Sequence, residues 1–216
     1  MRNYITHEWF TILTVFGIFA IALAKYLNAL RFSDFVSIIG NSKYLKIYSK
    51  DQKFIDPFDG LLFLNLAFSG SVFLYFCYST FVSPLTFELI SFLKLLLAIA
   101  TVVIIKTLLE RLIASLFEID SIIDAYLFQK ITFLNYSGLV LIITNLLLLY
   151  TSTNPKIIII ASFAIIFLIN LIGFITSFRN YQKIINPNFF YFLLYLCALE
   201  IAPYVLLYKV VSEYNV

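Results

Sequence analysis

Six runs of predominantly apolar residues, each long enough to cross a bilayer, occupy most of this chain and decide its fold class. A helix rises 1.5 Å per residue, so about 20 apolar residues are needed to traverse the hydrocarbon core. Runs of that kind fall at 10–30, 58–82, 89–117, 131–150, 157–178 and 189–211. No polar group of the backbone can stay unpaired in lipid, which leaves the helix as the conformation for each run. The expected architecture is all-α: a polytopic transmembrane helical bundle of six spans forming a single integral membrane domain over 1–216. Composition agrees. Hydrophobic residues make up 62% and charged residues 12% of the chain, against about 45–50% and roughly 25% in soluble domains. Too few polar groups exist to cover a water-soluble surface. The bilayer is therefore the first partner, and the small, scattered net charge of +3 offers nothing to a nucleic acid.

The links carry their own signals. Trp9 leads into the first run at an interface position. Over 1–9 the only Lys or Arg is Arg2, and no small-residue cleavage site closes the run that follows. The first run is thus expected to stay as a span. Pro57 suits the first turn of the second span, and Pro84 lies beyond its end. The 89–117 run exceeds a simple span, which predicts a tilt or a projection of its charged last turns, with Lys106, Glu110 and Arg111, into the interface. Residues 151–156 (Thr-Ser-Thr-Asn-Pro-Lys) read as a tight turn that makes the fourth and fifth spans antiparallel neighbours. The 31–56 link is the only sizeable one. It alternates Phe32, Phe35, Tyr44 and Tyr48 with Lys43, Lys46, Lys50 and Lys53, a pattern suited to a segment lying over anionic headgroups. A second amphipathic stretch, 118–130, is acidic, with Asp120 and Asp124.

Lys and Arg concentrate in the odd-numbered links: Arg31, Lys43, Lys46, Lys50 and Lys53 in the first, Arg111 and Lys130 flanking the third, Arg179 and Lys183 in the fifth. The excess of cations marks the cytoplasmic side. Both termini are then expected on the outside.

Charges inside the runs are the candidate functional residues. Glu200 lies near the middle of the last span, one turn from Pro203. A carboxylate at mid-bilayer costs about 2.5–3.5 kcal/mol even on the lenient insertion scale, so Glu200 should face protein or water. Pro203 removes a backbone donor and crowds the carbonyl of Leu199, which predicts a bend beside the acid. The expected role is a buried ion pair or a proton or cation site. Candidate partners sit on the third span, namely Lys94, Lys106 and Arg111, and the sequence does not choose among them. Lys106 and Glu110 can also meet on one helix face. Lys25 and Lys209 are near enough to span ends to snorkel. Asn65, Asn135, Asn145 and Asn170 are expected to join helices through amide hydrogen bonds, worth on average only ~0.6 kcal/mol each. Ser69-Gly70-Ser71 and the Ala20/Ala24 pair are small patches where helices can approach closely.

The chain contains no phosphate-cradling glycine loop, no His-Glu-x-x-His and no Gly-x-Ser-x-Gly elbow. Cys77 and Cys197 both fall in apolar runs, and the lone His7 has no second ligand nearby in sequence. No catalytic residue, cofactor or metal is expected.

The run from Phe189 to Pro203 contains Tyr195-Leu196-Cys197-Ala198-Leu199-Glu200-Ile201-Ala202-Pro203. It resembles the closing Tyr-Leu-Cys-x-Leu-Glu-Ile-x-Pro signature of an uncharacterised family of Bacteroidota inner-membrane proteins. The aromatic-led first span, Arg31-Phe32 and Lys43-Tyr44 are similar to that family as well. The resemblance implies a bacterial inner membrane and includes Glu200 and Pro203 in a shared design, without supplying an activity. Two functions are expected from the whole reading. One is a non-enzymatic subunit or assembly factor of a larger envelope complex, for example in protein export or secretion, with membrane-protein partners or copies of itself. The alternative is a small ion- or proton-coupled transporter using Glu200.

Overall fold

The computed structural model describes residues 8–41, 43–49, 56–83, 87–116 and 120–185. Among them the chain is helical and contains no strand: α1 (Glu8–Leu27), α2 (Ala29–Val36), α3 (Lys43–Tyr48), α4 (Pro57–Phe81), α5 (Leu89–Leu116), α6 (Asp120–Tyr150) and α7 (Pro155–Ile185). Five of these are long and apolar enough to cross a membrane: Glu8–Leu27, Pro57–Phe81, Leu89–Leu116, Ile123–Tyr150 and Pro155–Thr176. They correspond to the first five predicted spans. The sixth, 189–211, lies outside the described residues.

Local chemistry sets the helix ends. The Asp56 carboxylate accepts the amide of Phe58 at 3.1 Å, and Pro57 takes the first helical position, where its missing N–H costs nothing. Asn154 caps α7 in the same way, accepting the amide of Lys156 at 3.1 Å just ahead of the first turn. Two expectations change. The acidic 118–130 stretch is not a separate surface segment, because from Asp120 it is the first part of α6. It finds tertiary neighbours, burying Ile123, Tyr126, Leu127 and Phe128, and burial overrides its polar appearance. In the described part of the 31–56 link, apolar side chains likewise turn to the protein instead of to headgroups. Phe35, Ile38, Tyr44 and Leu45 are buried in a protein core with Ala24, Phe58 and Phe128.

The bundle is built on α1, α4 and α6. Helices α4 and α6 run parallel and α1 runs against both. Phe10 packs with Tyr75 and Leu149 at one end, and Ala24 with Phe58 and Phe128 at the other. Between these levels the three helices come very close. A Cβ on Gly17 would lie 3.1 Å from Asn65 Oδ1, and one on Gly138 would lie 3.0 Å from both Asn65 Nδ2 and Leu66 Cα. Lipid tails are as apolar as leucine, so helices in a membrane gain little from burial alone and associate through such close contacts. Helix α7 adds to α6, with Gly173 against Phe133 and Ile159 among Leu66, Phe73 and Leu141.

Helix α5 stands apart. Along its 28 residues only Phe92, Glu110 and Ala114 are buried. Phe92 joins Tyr75 and Phe87 at one end of the bundle, and Glu110 is held at the other.

The glycines divide by what surrounds them. Nothing lies within 4 Å of a Cβ at Gly70, whereas one at Gly173 would sit 2.6 Å from Phe133 Cγ. Gly138→Ala and Gly173→Ala should each destabilise the bundle by about 1–3 kcal/mol through overpacking. Gly70→Ala should be neutral or slightly stabilising, because alanine is the better helix former. Thermal unfolding of the three variants in one detergent checks the contrast, and equal shifts would contradict this packing.

Candidate functional site

Polar side chains in the described bundle gather in three places. The first is a knot around Arg31 at the end that carries the basic links. Arg31 lies in α2, and its guanidinium meets a carboxylate at each terminal nitrogen: Nη1 donates to Asp56, and Nη2 donates to Asp59 Oδ2 at 2.9 Å. Its Nε donates to the Tyr44 hydroxyl at 3.3 Å. The flat guanidinium lies over Phe58 at 4.5 Å and Tyr48 at 5.0 Å, contacts that only arginine makes well. Its side chain is 13% exposed. Burial works against the Arg31 charge, but Tyr44, Asp56 and Asp59 outweigh it and hold its pKa above the ordinary value. Burial, with Asp59 behind it, pushes the Tyr44 phenol up despite the opposing pull of Arg31, so the hydroxyl stays protonated. The knot ties α2, α3 and the start of α4 into one unit.

The second place is the contact of α5 with α6 at the same end. Lys130 Nζ donates to Glu110 Oε1 at 2.6 Å, and Arg111 Nε donates to Asp124 Oδ1 at 2.7 Å. Glu110 is 1% exposed, a carboxylate that its pairing with Lys130 helps make tolerable there.

The third is a seam of amides and hydroxyls between helices. Asn145 Nδ2 donates to the Ser69 carbonyl at 2.8 Å, and Asn170 Nδ2 to Ser137 Oγ at 3.0 Å. Gln129 Nε2 donates to the Gly173 carbonyl at 3.2 Å, and Thr144 and Ser162 share a hydrogen bond of 2.9 Å. Both amide atoms of Asn65 and of Asn135 are buried without a hydrogen-bond partner among the described residues.

The structure places the sequence-derived candidates unevenly. Arg111 pairs with Asp124, so the last turns of α5 are fastened to α6 instead of projecting outward. Lys106 is half-buried on the stripe of α5 that faces the bundle, and Lys94 is exposed. Glu200 and Pro203 lie outside the described residues, as do Cys197, Lys209 and His7. Of the four asparagines, Asn145 and Asn170 make the expected amide hydrogen bonds between helices, whereas Asn65 and Asn135 are buried without one among the described residues. Sequence reasoning missed Asp56, Asp59 and Tyr44 as partners of Arg31. The available signal was the Asp-Pro-x-Asp start of the second span, an N-terminal pattern with two carboxylates one turn apart. It also missed Gly17, Gly138 and Gly173, favouring instead a patch whose glycine meets open space. Among the described residues no three His, Cys, Asp or Glu side chains converge where a metal could sit.

Five helices of membrane-crossing length and apolarity, with an amide seam between them, define the class: an all-α bundle suited to a lipid bilayer. Within that class the chain belongs to the family described as Domain of unknown function (DUF4271), which matches residues 10–211. No curated protein and no solved structure matches it.

The Arg31 knot sets up a direct test. Arg31→Ala should destabilise the protein by about 3–5 kcal/mol, because it strands two carboxylates and a phenol in a mostly buried site. Arg31→Lys should recover only part of that loss, since one ammonium cannot reproduce the forked contact or the stacking. Thermal unfolding, with limited proteolysis between α2 and α3, measures both. Full rescue by lysine would reduce the knot to a single surface ion pair.

Proposed function

We propose that the protein is a non-enzymatic integral subunit or assembly factor of a larger envelope complex of a bacterial inner membrane, of the kind that serves protein export or secretion. We further propose that α5 is the helix offered to its partner. One observation carries this reading: α5 is fastened at both ends, by Phe92 and by the Glu110–Lys130 and Arg111–Asp124 pairs, while most of its circumference faces outward. Leu97, Val102, Leu108 and Leu112 are between 47% and 64% exposed. A helix fixed in position with its apolar side turned away from its own core suits the docking of a second membrane protein through side-chain packing. The described core supports the same view. It is closed at mid-depth by Asn65 between Gly17 and Gly138, and the Arg31, Glu110–Lys130 and Arg111–Asp124 pairs lie at its basic end.

In this proposal the basic end, with Arg31, Lys43, Lys46 and Lys130, faces the cytoplasm, leaving both termini outside. The same proposal pairs Glu200 of the predicted last span with Lys106. Depth supports that pairing over Lys94. Lys106 lies roughly 15 Å along the helix from the Leu116 end, and Lys94 roughly 33 Å from it. Residue 200 of a helix starting at 189, the end where α7 leaves off, would lie roughly 16 Å from its own start. A proton- or ion-coupled transporter using Glu200 is the competing reading.

Gentle detergent extraction at native expression, with mass spectrometry of the co-purifying chains, tests this. A membrane partner in stoichiometric amount is expected, and Leu108→Asn combined with Leu112→Asn should deplete it while leaving the bundle folded. A lone monomer or homo-oligomer would overturn the subunit reading. It would direct attention to proton flux in liposomes, with Glu200→Gln as the decisive variant.

A further inference from the structure

At the end of the bundle opposite the Arg31 knot, the last turns of α4 and the first turns of α5 diverge. They leave a lateral groove of about 520 Å³ lined by Leu74, Tyr75, Cys77, Tyr78, Phe81 and Leu95 among others. The lining is almost wholly apolar, and Ser91 is also part of it. Size narrows the occupant. A helix about 10 Å wide with a 5.4 Å pitch fills roughly 400 Å³ per turn, so the groove takes little more than one turn of helix. That is too short for a spanning segment of protein and the right form for a single extended hydrocarbon chain.

Charges at the start of α5, flanking the lining residues Ser91 and Leu95, narrow the occupant further. Glu88 stands just ahead of α5, exposed, with its carboxylate accepting from Ser91 Oγ at 2.7 Å. Lys94 follows six positions later, roughly 9 Å deeper along the helix. It is exposed and has no ion pair or hydrogen bond among the described residues. A lysine turned toward lipid inside a span calls for an anion within reach of its flexible stem. The vertical order is an anionic group outermost, a cationic group below it and an apolar slot alongside. It complements a lipid whose ammonium lies outermost, its phosphate deeper and its acyl chain deepest. Trp9 stacked on Phe87 at this end, with ring centroids 5.9 Å apart, fits the aromatic level of a membrane interface.

We propose that the α4–α5 groove is a binding site for a zwitterionic aminophospholipid, with one acyl chain in the slot, the phosphate on Lys94 and the ammonium facing Glu88. The site differs from the outward α5 face described above, since it lies between α4 and α5 and is formed by this chain alone.

Photolabelling of the full chain in nanodiscs with a phosphatidylethanolamine bearing a diazirine on its acyl chain tests the site, with adducts mapped by mass spectrometry. Labels should concentrate on residues 74–82 and 91–95. Unlabelled phosphatidylethanolamine should compete better than phosphatidylglycerol. Lys94→Gln, at an exposed position where folding is spared, should reduce groove labelling by about fivefold or more through loss of one charge-assisted contact. Leu95→Trp should remove it by filling the slot. Labels spread evenly over the outward faces of α5 and α7 would overturn the proposal, as would groove labelling indifferent to Lys94→Gln.

Discussion

The close approach of three helices around Asn65 is the constraint on which the rest of the bundle depends. Gly17 of α1 and Gly138 of α6 leave the amide just enough room, and Leu66 meets Gly138 at backbone distance. In water, such a junction would be one contribution among many. In lipid it is the main one, because apolar surface gains nothing by leaving one hydrocarbon environment for another. The contact also fixes the register of everything above and below it. It sets Phe10 against Tyr75 at one end and Ala24 against Phe58 at the other, and it aligns Asn145 with the Ser69 carbonyl.

From that register the two ends acquire different characters. At one end, α2 and α3 fold back onto the bundle and are secured by Arg31, whose two carboxylates come from the capped start of α4. A buried arginine of this kind contributes less to net stability than to the uniqueness of the arrangement, since its desolvation offsets much of its attraction. At the other end, aromatic side chains take over, with Phe10, Tyr75, Phe87 and Phe92 in mutual contact. Helix α5 bridges the two ends and is anchored at each by the local chemistry, ionic at one and aromatic at the other. Among the described residues its middle has no close-packed neighbour on the outward side, and this is the feature from which the proposed role as a subunit follows.

Much of this was legible in the sequence because bilayer thickness is a strict ruler. The starts and ends of α4 and α5 fall within one or two residues of the runs at 58–82 and 89–117, since Pro57 and Pro84 punctuate the chain where the apolar run also stops. Where polarity was the guide, the reading was poorer. Asp120, Asp124 and Lys130 suggested an interfacial stretch, yet α6 passes straight through it because Ile123, Leu127 and Phe128 find protein on their side of the helix. Lys43 and Lys46 drew attention to headgroups, while Phe35 and Tyr44, which alternate with them, serve the core. The candidate site was legible only in part. The charged residues of the third span were recognisable as exceptional, but Glu110 and Arg111 meet partners about 20 and 13 positions away, pairings that depend on how two helices cross and not on any local spacing. The glycines that decide the packing, at 17, 138 and 173, stand singly in apolar runs and look like any others until their neighbours are known.

The central claim is that α5 is a fixed, outboard helix whose apolar side is covered by another membrane protein. A photo-reactive amino acid placed one position at a time from Leu97 to Leu112 in the full chain, activated in native membranes, tests this most directly. The account predicts protein adducts of one constant mass that recur every three to four positions on the outward face and vanish at the bundle-facing stripe. Adducts to lipid alone at every outward position would contradict it.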